Sequence, residues 1–269
     1  MTDASDLQPL PTSDLFSVEG KTALVTGGSR GIGAMIARGL VSNGVTTYIT
    51  ARKAAACDAM AKELSALGTC HSVPADLATA EGRAAVVDRI DTDGGALDIL
   101  VNNAGAAWGA PLGEFPDVGF EKIMNINVQA PFMLTQSLLP HLRATATADD
   151  PARVIMIGSI DGIRVPHGDN FSYSASKAGI HMLARHLAHN VVGEHITVNS
   201  IAPGPFESKM MSYMLDDPDS RTMVERSVPR GRIGSPEDVA GTVLYLSSRA
   251  GAFVTGAVIP LDGGISTHG

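Results

Sequence analysis

The sequence predicts an α/β protein, a single domain built on a doubly wound parallel sheet of about seven strands with helices on both faces. Three observations predict it. Short Val- and Ile-rich runs alternate with longer helical stretches. Those runs are apolar at nearly every position, as strands covered on both faces must be. The first of them leads straight into a glycine-rich turn and then a helix.

The elements follow in order. Residues 22–26 read as the first strand and 45–50 as the second. The run 70–75 is a weaker third, and 97–102, 153–158, 196–201 and 257–261 complete the set. Between them, 32–42, 54–67, 81–90, 120–142, 173–192 and 236–247 carry helical patterns. Alternation of this kind implies right-handed crossovers between parallel strands. The polar break at 149–151 is too brief for a domain boundary, and no internal repeat occurs. Residues 1–17 are polar and contain Pro9 and Pro11, which predicts a flexible arm before one domain over 18–269. Residues 205–229 leave the alternation. They are Met-rich, contain Pro218 and Pro229, and are expected to form an insertion covering a substrate.

Composition excludes several functions. A chain of 269 residues supports one large core. A net charge of −8 argues against a general nucleic-acid surface, though not against a local basic pocket. Cys57 and Cys70 form no Cys-x-x-Cys pair, and read as reduced thiols of a cytoplasmic protein. No leader-like apolar segment is seen, and no run approaches the ~18 apolar residues of a membrane span. Among the 8 histidines, His181, His186 and His189 lie on or near one helix, but no carboxylate set with zinc spacing accompanies them. No metal is expected, and most histidines are read as surface residues. Ser159 lies in no Gly-x-Ser-x-Gly elbow, so a hydrolase has no support.

The glycine turn spans residues 26–33, with Gly27, Gly31 and Gly33 in a Gly-x-x-x-Gly-x-Gly spacing and Ser29, Arg30 and Ile32 between. Strand, glycine turn and helix is the context of a dinucleotide phosphate site of Rossmann type. Glycines permit close backbone approach, and a helix N-terminus offers free N–H groups to the anion. The glycines alone fit a plain βα turn equally well. Charge adds detail. A reader of the NAD ribose puts a carboxylate after the second strand. Here Arg52 and Lys53 follow it, and Arg30 sits inside the turn. Two cations suit a 2′-phosphate, which favours NADPH over NADH; the other reading of Arg52 and Lys53 is a surface cap. Asp76 after the third strand either bonds an adenine amino group or caps the next helix. Asn102, Asn103, Ala104 and Gly105 end the fourth strand and, read alone, are turn formers.

Tyr173 and Lys177 stand four apart, so a helix presents both on one face. A nearby ammonium favours phenolate and lowers a Tyr pKa, and a Tyr so tuned exchanges a proton with a developing alkoxide. Ser159, just past the fifth strand, is placed to bond the same oxygen. Asn127 sits in a helical stretch where Asn is a poor former, which points to a buried polar role. For both, a satisfied core group is the alternative.

Together these pieces resemble the short-chain dehydrogenase/reductase family over roughly residues 18–265. The order carries the match: Thr-Gly-x-x-x-Gly-x-Gly at 26–33, Asp76, Asn-Asn-Ala-Gly at 102–105, Asn127, Ser159, Tyr-x-x-x-Lys at 173–177, Pro203 and Gly204, and Asp-Gly-Gly at 262–264. The resemblance implies NADP as cofactor and a role for each residue. Tyr173 is expected as general acid, Lys177 as ribose ligand that lowers the Tyr173 pKa, Ser159 as holder of the carbonyl, and Asn127 as anchor of a proton-relay water. Gly27, Ser29, Arg30, Gly31, Ile32, Gly33, Arg52, Asp76, Leu77, Asn103, Ala104 and Gly105 match cofactor-contacting positions. Pro203 and Gly204 are expected beside the nicotinamide, and Ser208 stands where relatives usually have Thr. Ser159 and Tyr173 are one position further apart than in many relatives, so the loop 161–171 carries the extra residue and pocket shape is open.

Within the family, Arg52, the run 202–209 and residues 15–17 resemble 3-oxoacyl-(acyl-carrier-protein) reductases of a rhamnolipid-pathway branch. A 3-oxoacyl thioester or simple ketone is then the expected substrate, with an acyl-carrier protein as a partner docked on Arg226, Arg230 or Arg232, although Arg232 reads equally as structural. Met210, Met211, Met214 and Met223 either bed an acyl chain or serve as core filler or oligomer contacts. A homotetramer or homodimer is expected. Two alternatives stay open. One is a sugar, steroid or secondary-alcohol dehydrogenase, favoured by a polar pocket of Arg164, His167 and Asn170. The other is a non-catalytic nucleotide sensor, which would not need Asn127, Ser159, Tyr173 and Lys177 together.

Overall fold

In the computed structural model, which describes residues 9–166, 168–209 and 211–267, seven strands form one parallel sheet. They are Thr22–Thr26 (β1), Thr46–Ala51 (β2), Cys70–Pro74 (β3), Ile99–Asn102 (β4), Ala152–Ile157 (β5), Ile196–Pro203 (β6) and Val258–Leu261 (β7). Their spatial order is β3-β2-β1-β4-β5-β6-β7. The weak third strand is therefore real and forms one edge, pairing with β2 from Thr47↔Cys70 to Ala51↔Pro74.

The helices are Thr12–Leu15 (α1), Gly31–Val41 (α2), Ala54–Leu64 (α3), Ala80–Thr92 (α4), Asp117–Met124 (α5), Ala130–Thr145 (α6), Phe171–Val191 (α7), Ser212–Leu215 (α8), Pro218–Ser227 (α9) and Pro236–Ser247 (α10). Alternate strand residues feed two cores. Ala23, Val25, Ile99, Val101, Ile155 and Ile157 pack with α2, α3 and α10. Leu24, Leu100, Val154 and Met156 pack with α4, α6 and α7 on the other face. Period-two side chains covered on both sides explain why the strands read as apolar runs.

Two expectations are refined. The helix predicted over 120–142 is two helices joined by a π turn, Asn125–Gln129, which holds Asn127. One extra residue per turn rotates the buried Asn127 amide toward the loop after β4, a use typical of π-bulges. The segment 205–229 contains α8 and α9. Met223 points to solvent at 65% exposure, so it beds no chain in this conformation, while Met211 and Met214 are half-buried. Residues 1–8 of the expected arm, His167 and Met210 lie outside the described residues.

Arg232 has a structural task. It donates to both Asp238 oxygens (2.5 and 3.0 Å), and Asp238 accepts from Ser235 N at 2.7 Å, closing a capping box on α10. Arg232, with the Ser235 donors, holds the Asp238 carboxyl well below the usual carboxylate range. A lowered folded pKa stabilises above the unfolded value of ~3.9 and ceases to do so as pH falls through the folded one. Asp238→Ala is expected to lower unfolding free energy by about 1–2 kcal/mol in urea titrations at pH 7. The deficit should shrink in acid; a deficit constant with pH would show that the charge contributes nothing.

Candidate active site

All strands point one way, so the residues after their C-terminal ends share one rim. Strand order reverses between β1 and β4, and ligands of open α/β sheets bind in the crevice at that switch point. Thr26 ends β1, and its Oγ1 accepts from the N–H groups of Asn103 (2.8 Å) and Ala104 (2.9 Å). The Asn103 side chain donates to Thr26 O at 2.8 Å, so it straps the glycine turn to β4. A Cβ on Gly33 would stand 2.3 Å from Gly27 O and 2.4 Å from Asn103 Nδ2. Only glycine lets α2 approach the turn this closely. Arg30 is the N-cap residue of α2 and no side chain caps the helix, so its first N–H groups are free for an anion. Ser29 and Gly31 are half-buried in the turn, and Ile32 packs on the core beneath it.

Arg30 and Arg52 are exposed and join no ion pair among the described residues. This uncapped helix start, glycine-rich turn and pair of unpaired cations fit a dinucleotide bearing a 2′-phosphate. Asp76 is not the cap of α4. Thr79 is, accepting from Gly82 N at 3.0 Å. Asp76 Oδ1 accepts from Ala78 N at 3.1 Å and the carboxylate is exposed on the rim. The Leu77 side chain is core, leaving its backbone for any ligand. Pro203 closes β6, Gly204 N donates to Leu261 O at 3.0 Å, and Ser208 lies against Gly31, so the loop after β6 meets the glycine turn.

At the reaction end, Ser159 is buried and its Oγ accepts from Asp161 N at 3.1 Å. Its proton therefore remains available to a substrate oxygen. The Ser159 hydroxyl neighbours the Tyr173 phenol, and Lys177 Nζ lies 5.5 Å from the Tyr173 ring centroid. The three side chains converge as expected. Their acidities do not follow expectation. Burial pushes the Tyr173 phenol up to about 12, with Ser159 acting in the opposite sense and Asp161 adding to the rise. Burial also brings Lys177 down to about 8. Lys177 donates to Ile157 O at 2.8 Å and its Nζ lies over the Tyr173 ring. Asn127 is near but differently engaged. Its Nδ2 donates to Ala106 O (2.9 Å) and Ser176 Oγ (2.9 Å), and its Oδ1 accepts from Ala106 N (2.9 Å). Gly105 lies against this amide. Both side-chain donors are thus committed to fixing the π turn, the loop after β4 and α7.

The enoyl-(acyl carrier protein) reductase family matches residues 27–266. The chain belongs to the short-chain dehydrogenase/reductases. It is 49% identical over 249 residues to the rhamnolipids biosynthesis 3-oxoacyl-[acyl-carrier-protein] reductase of Pseudomonas aeruginosa, covering 93% of this chain and 97% of that one. A Pseudomonas aeruginosa RhlG/NADP active-site complex superposes with a TM-score of 0.91 at 48% identity, over 94% and 98% of the two chains. Gluconate 5-dehydrogenase of Gluconobacter oxydans is 33% identical over 94% of this chain and 97% of its own.

In this short-chain dehydrogenase/reductase, sequence reasoning missed two site residues. Ser176 accepts from Asn127 and donates to Tyr173 O at 2.7 Å, tying the π turn to α7. His181 is buried behind Ser159, unlike His186 and His189, which are exposed. The signal was present: His181 stands four residues after Lys177, on the same helical face. Among the described residues no helix is long and apolar enough to cross a membrane, and no group of three His, Cys, Asp or Glu could hold a metal. Cys57 and Cys70 are free and buried.

Proposed function

We propose that this chain is an NADPH-dependent reductase of 3-oxoacyl thioesters. The convergence of Ser159, Tyr173 and Lys177 carries the proposal. NADPH supplies the hydride when bound; the protein orients it and handles the proton. The free N–H groups of α2 would hold the pyrophosphate, Arg30 and Arg52 would hold the 2′-phosphate, and Asp76 with the Leu77 backbone would meet the adenine. Lys177 would hold the ribose hydroxyls, and Pro203, Gly204 and Ser208 would contact the nicotinamide end. Ser159 donates to the ketone oxygen and fixes it beside Tyr173. Tyr173 would protonate that oxygen as the ketone carbon is reduced, and Lys177 would stabilise the phenolate left behind.

The mouth of the site favours an acyl chain. Loops 103–116 and 160–170 are joined by Ala110 N to Asp169 O at 3.1 Å, and carry exposed Leu112, Ile163 and Val165. Arg226 and Arg230 are exposed and free of ion pairs among the described residues, so they are the cations left to receive an acidic acyl-carrier protein. Exposed Phe120, Phe132 and Met182 on α5, α6 and α7 support assembly into a dimer or tetramer, which sedimentation would measure.

One observation favours a second reading. Arg164 Nε and Asn170 Oδ1 are buried without hydrogen-bond partners among the described residues, which suits an oxygen-rich sugar acid. The deciding assay is oxidation of NADPH, with NADH in parallel, against acetoacetyl thioester, simple ketones and keto-sugar acids. Preference for NADPH and the thioester supports the reductase; turnover of only the sugar acid moves the function to the second reading.

A further inference from the structure

His181 lies one helical turn beyond Lys177 and is buried, yet no step above uses it. Its Nε2 is 3.0 Å from the main-chain oxygen of Ser159, and its Nδ1 is 2.8 Å from Ser200 Oγ on β6. A carbonyl oxygen only accepts, so Nε2 must carry hydrogen and donate. In the neutral ring Nδ1 is then the acceptor, and Ser200 donates to it. Ser200 Oγ also lies 3.2 Å from Met156 O, a longer alternative for its one proton. The ring is pressed on the chain just before Ser159: a Cβ on Gly158 would stand 2.0 Å from His181 Cε1. Ser159 is therefore gripped twice, through its carbonyl by His181 and through its hydroxyl by Asp161 N.

We propose that His181 is a positioning residue for the reduction, holding the Ser159 backbone so that the Ser159 hydroxyl meets the substrate oxygen beside Tyr173, with Ser200 fixing the imidazole tautomer. This rests on the reductase reading of Ser159 given above. Charge supports a neutral ring. Burial first, then Lys177 and Arg185 on the same helix, hold the imidazole below its ordinary range, with the Ser159 carbonyl acting in the opposite sense. Ser200 and Met156, facing it from the sheet, add no charge. A neutral donor can hold a carbonyl without placing a second cation beside Lys177.

The test uses kcat and KM for acetoacetyl-thioester reduction, NADPH binding by fluorescence, and thermal midpoints. His181→Phe keeps a ring and loses both nitrogens; kcat should fall about tenfold with NADPH affinity unchanged, as expected for a small misplacement of a reacting group. His181→Gln reaches the Ser159 carbonyl with its amide and should recover kcat to within about threefold. His181→Asn reaches Ser200 but not Ser159, and should not recover. On a Ser159→Ala background, His181→Phe should cost nothing further, because a residue acting through Ser159 has nothing left to position. Ser200→Ala, which keeps the fold if the Phe variant does not, should lower kcat about threefold. Equal activity of the Gln and Asn variants, or full additivity with Ser159→Ala, would overturn the positioning role. Full turnover by Ser159→Ala alone would instead overturn the reductase reading of Ser159.

Discussion

Tyr173→Phe is expected to lower kcat for thioester reduction by about 10²–10⁴, the contribution of a placed general acid, while leaving NADPH affinity within twofold. The substitution removes one oxygen. The ring, its contact with Lys177 at 5.5 Å and the helix carrying both remain. Stopped-flow mixing separates the steps: cofactor binding should look native and the hydride step should slow. Near-native turnover would sink the assignment of the acid. The wild-type pH profile follows from the two acidities. Tyr173, raised to about 12, keeps its proton through the working range and contributes no limb there. Lys177, lowered to about 8, is charged below that pH and neutral above it. Once neutral it no longer stabilises the phenolate left by proton transfer. Thus kcat/KM, which reports the free enzyme, should be flat below pH 8 and fall above it. Lys177→Arg should remove that alkaline limb even if the rate drops, because Arg stays protonated throughout. A limb unchanged in the Arg variant would assign it to another group.

The fold was legible because its signals are local. Strands buried on both faces announce themselves as apolar runs, and β4, β5 and β6 are buried at every position. The glycine turn and the Tyr173–Lys177 spacing are equally local. What escaped depends on contacts between distant segments. A π turn adds one residue to a helix, and hydrophobic spacing over 120–142 does not distinguish it from an unbroken helix. Asn103 read alone is a turn former, and nothing local tells that its amide donates to Thr26, 77 positions earlier in the chain. Arg232 read equally as a docking cation or a structural one, and only its ion pair with Asp238 decides for structure. Proximity on a helix also misled in one respect: Lys177 does sit by Tyr173, yet burial raises the phenol and the charge of Lys177 does not lower it.

Cofactor choice yields the second large effect. Replacing both Arg30 and Arg52 with Ala should weaken NADPH binding by about 10²-fold and leave NADH binding within threefold. Two charge-assisted contacts to a phosphate contribute about 1.5 kcal/mol each at the low end of their range, and the low end applies because both side chains are exposed. Exposure has a second consequence. Screening at physiological salt acts over about 8 Å, so the wild-type preference for NADPH should narrow as salt rises, whereas the double variant should barely respond. Arg52→Asp goes further. It sets a carboxylate after β2, where one reads the free ribose hydroxyls of NADH, and repels a 2′-phosphate. The NADPH/NADH ratio of kcat/KM should then invert, with kcat on saturating cofactor preserved because Ser159, Tyr173 and Lys177 lie at the other end of the crevice. A ratio unmoved by either change would place the 2′-phosphate elsewhere, with Lys53 at the start of α3 the next cation to replace.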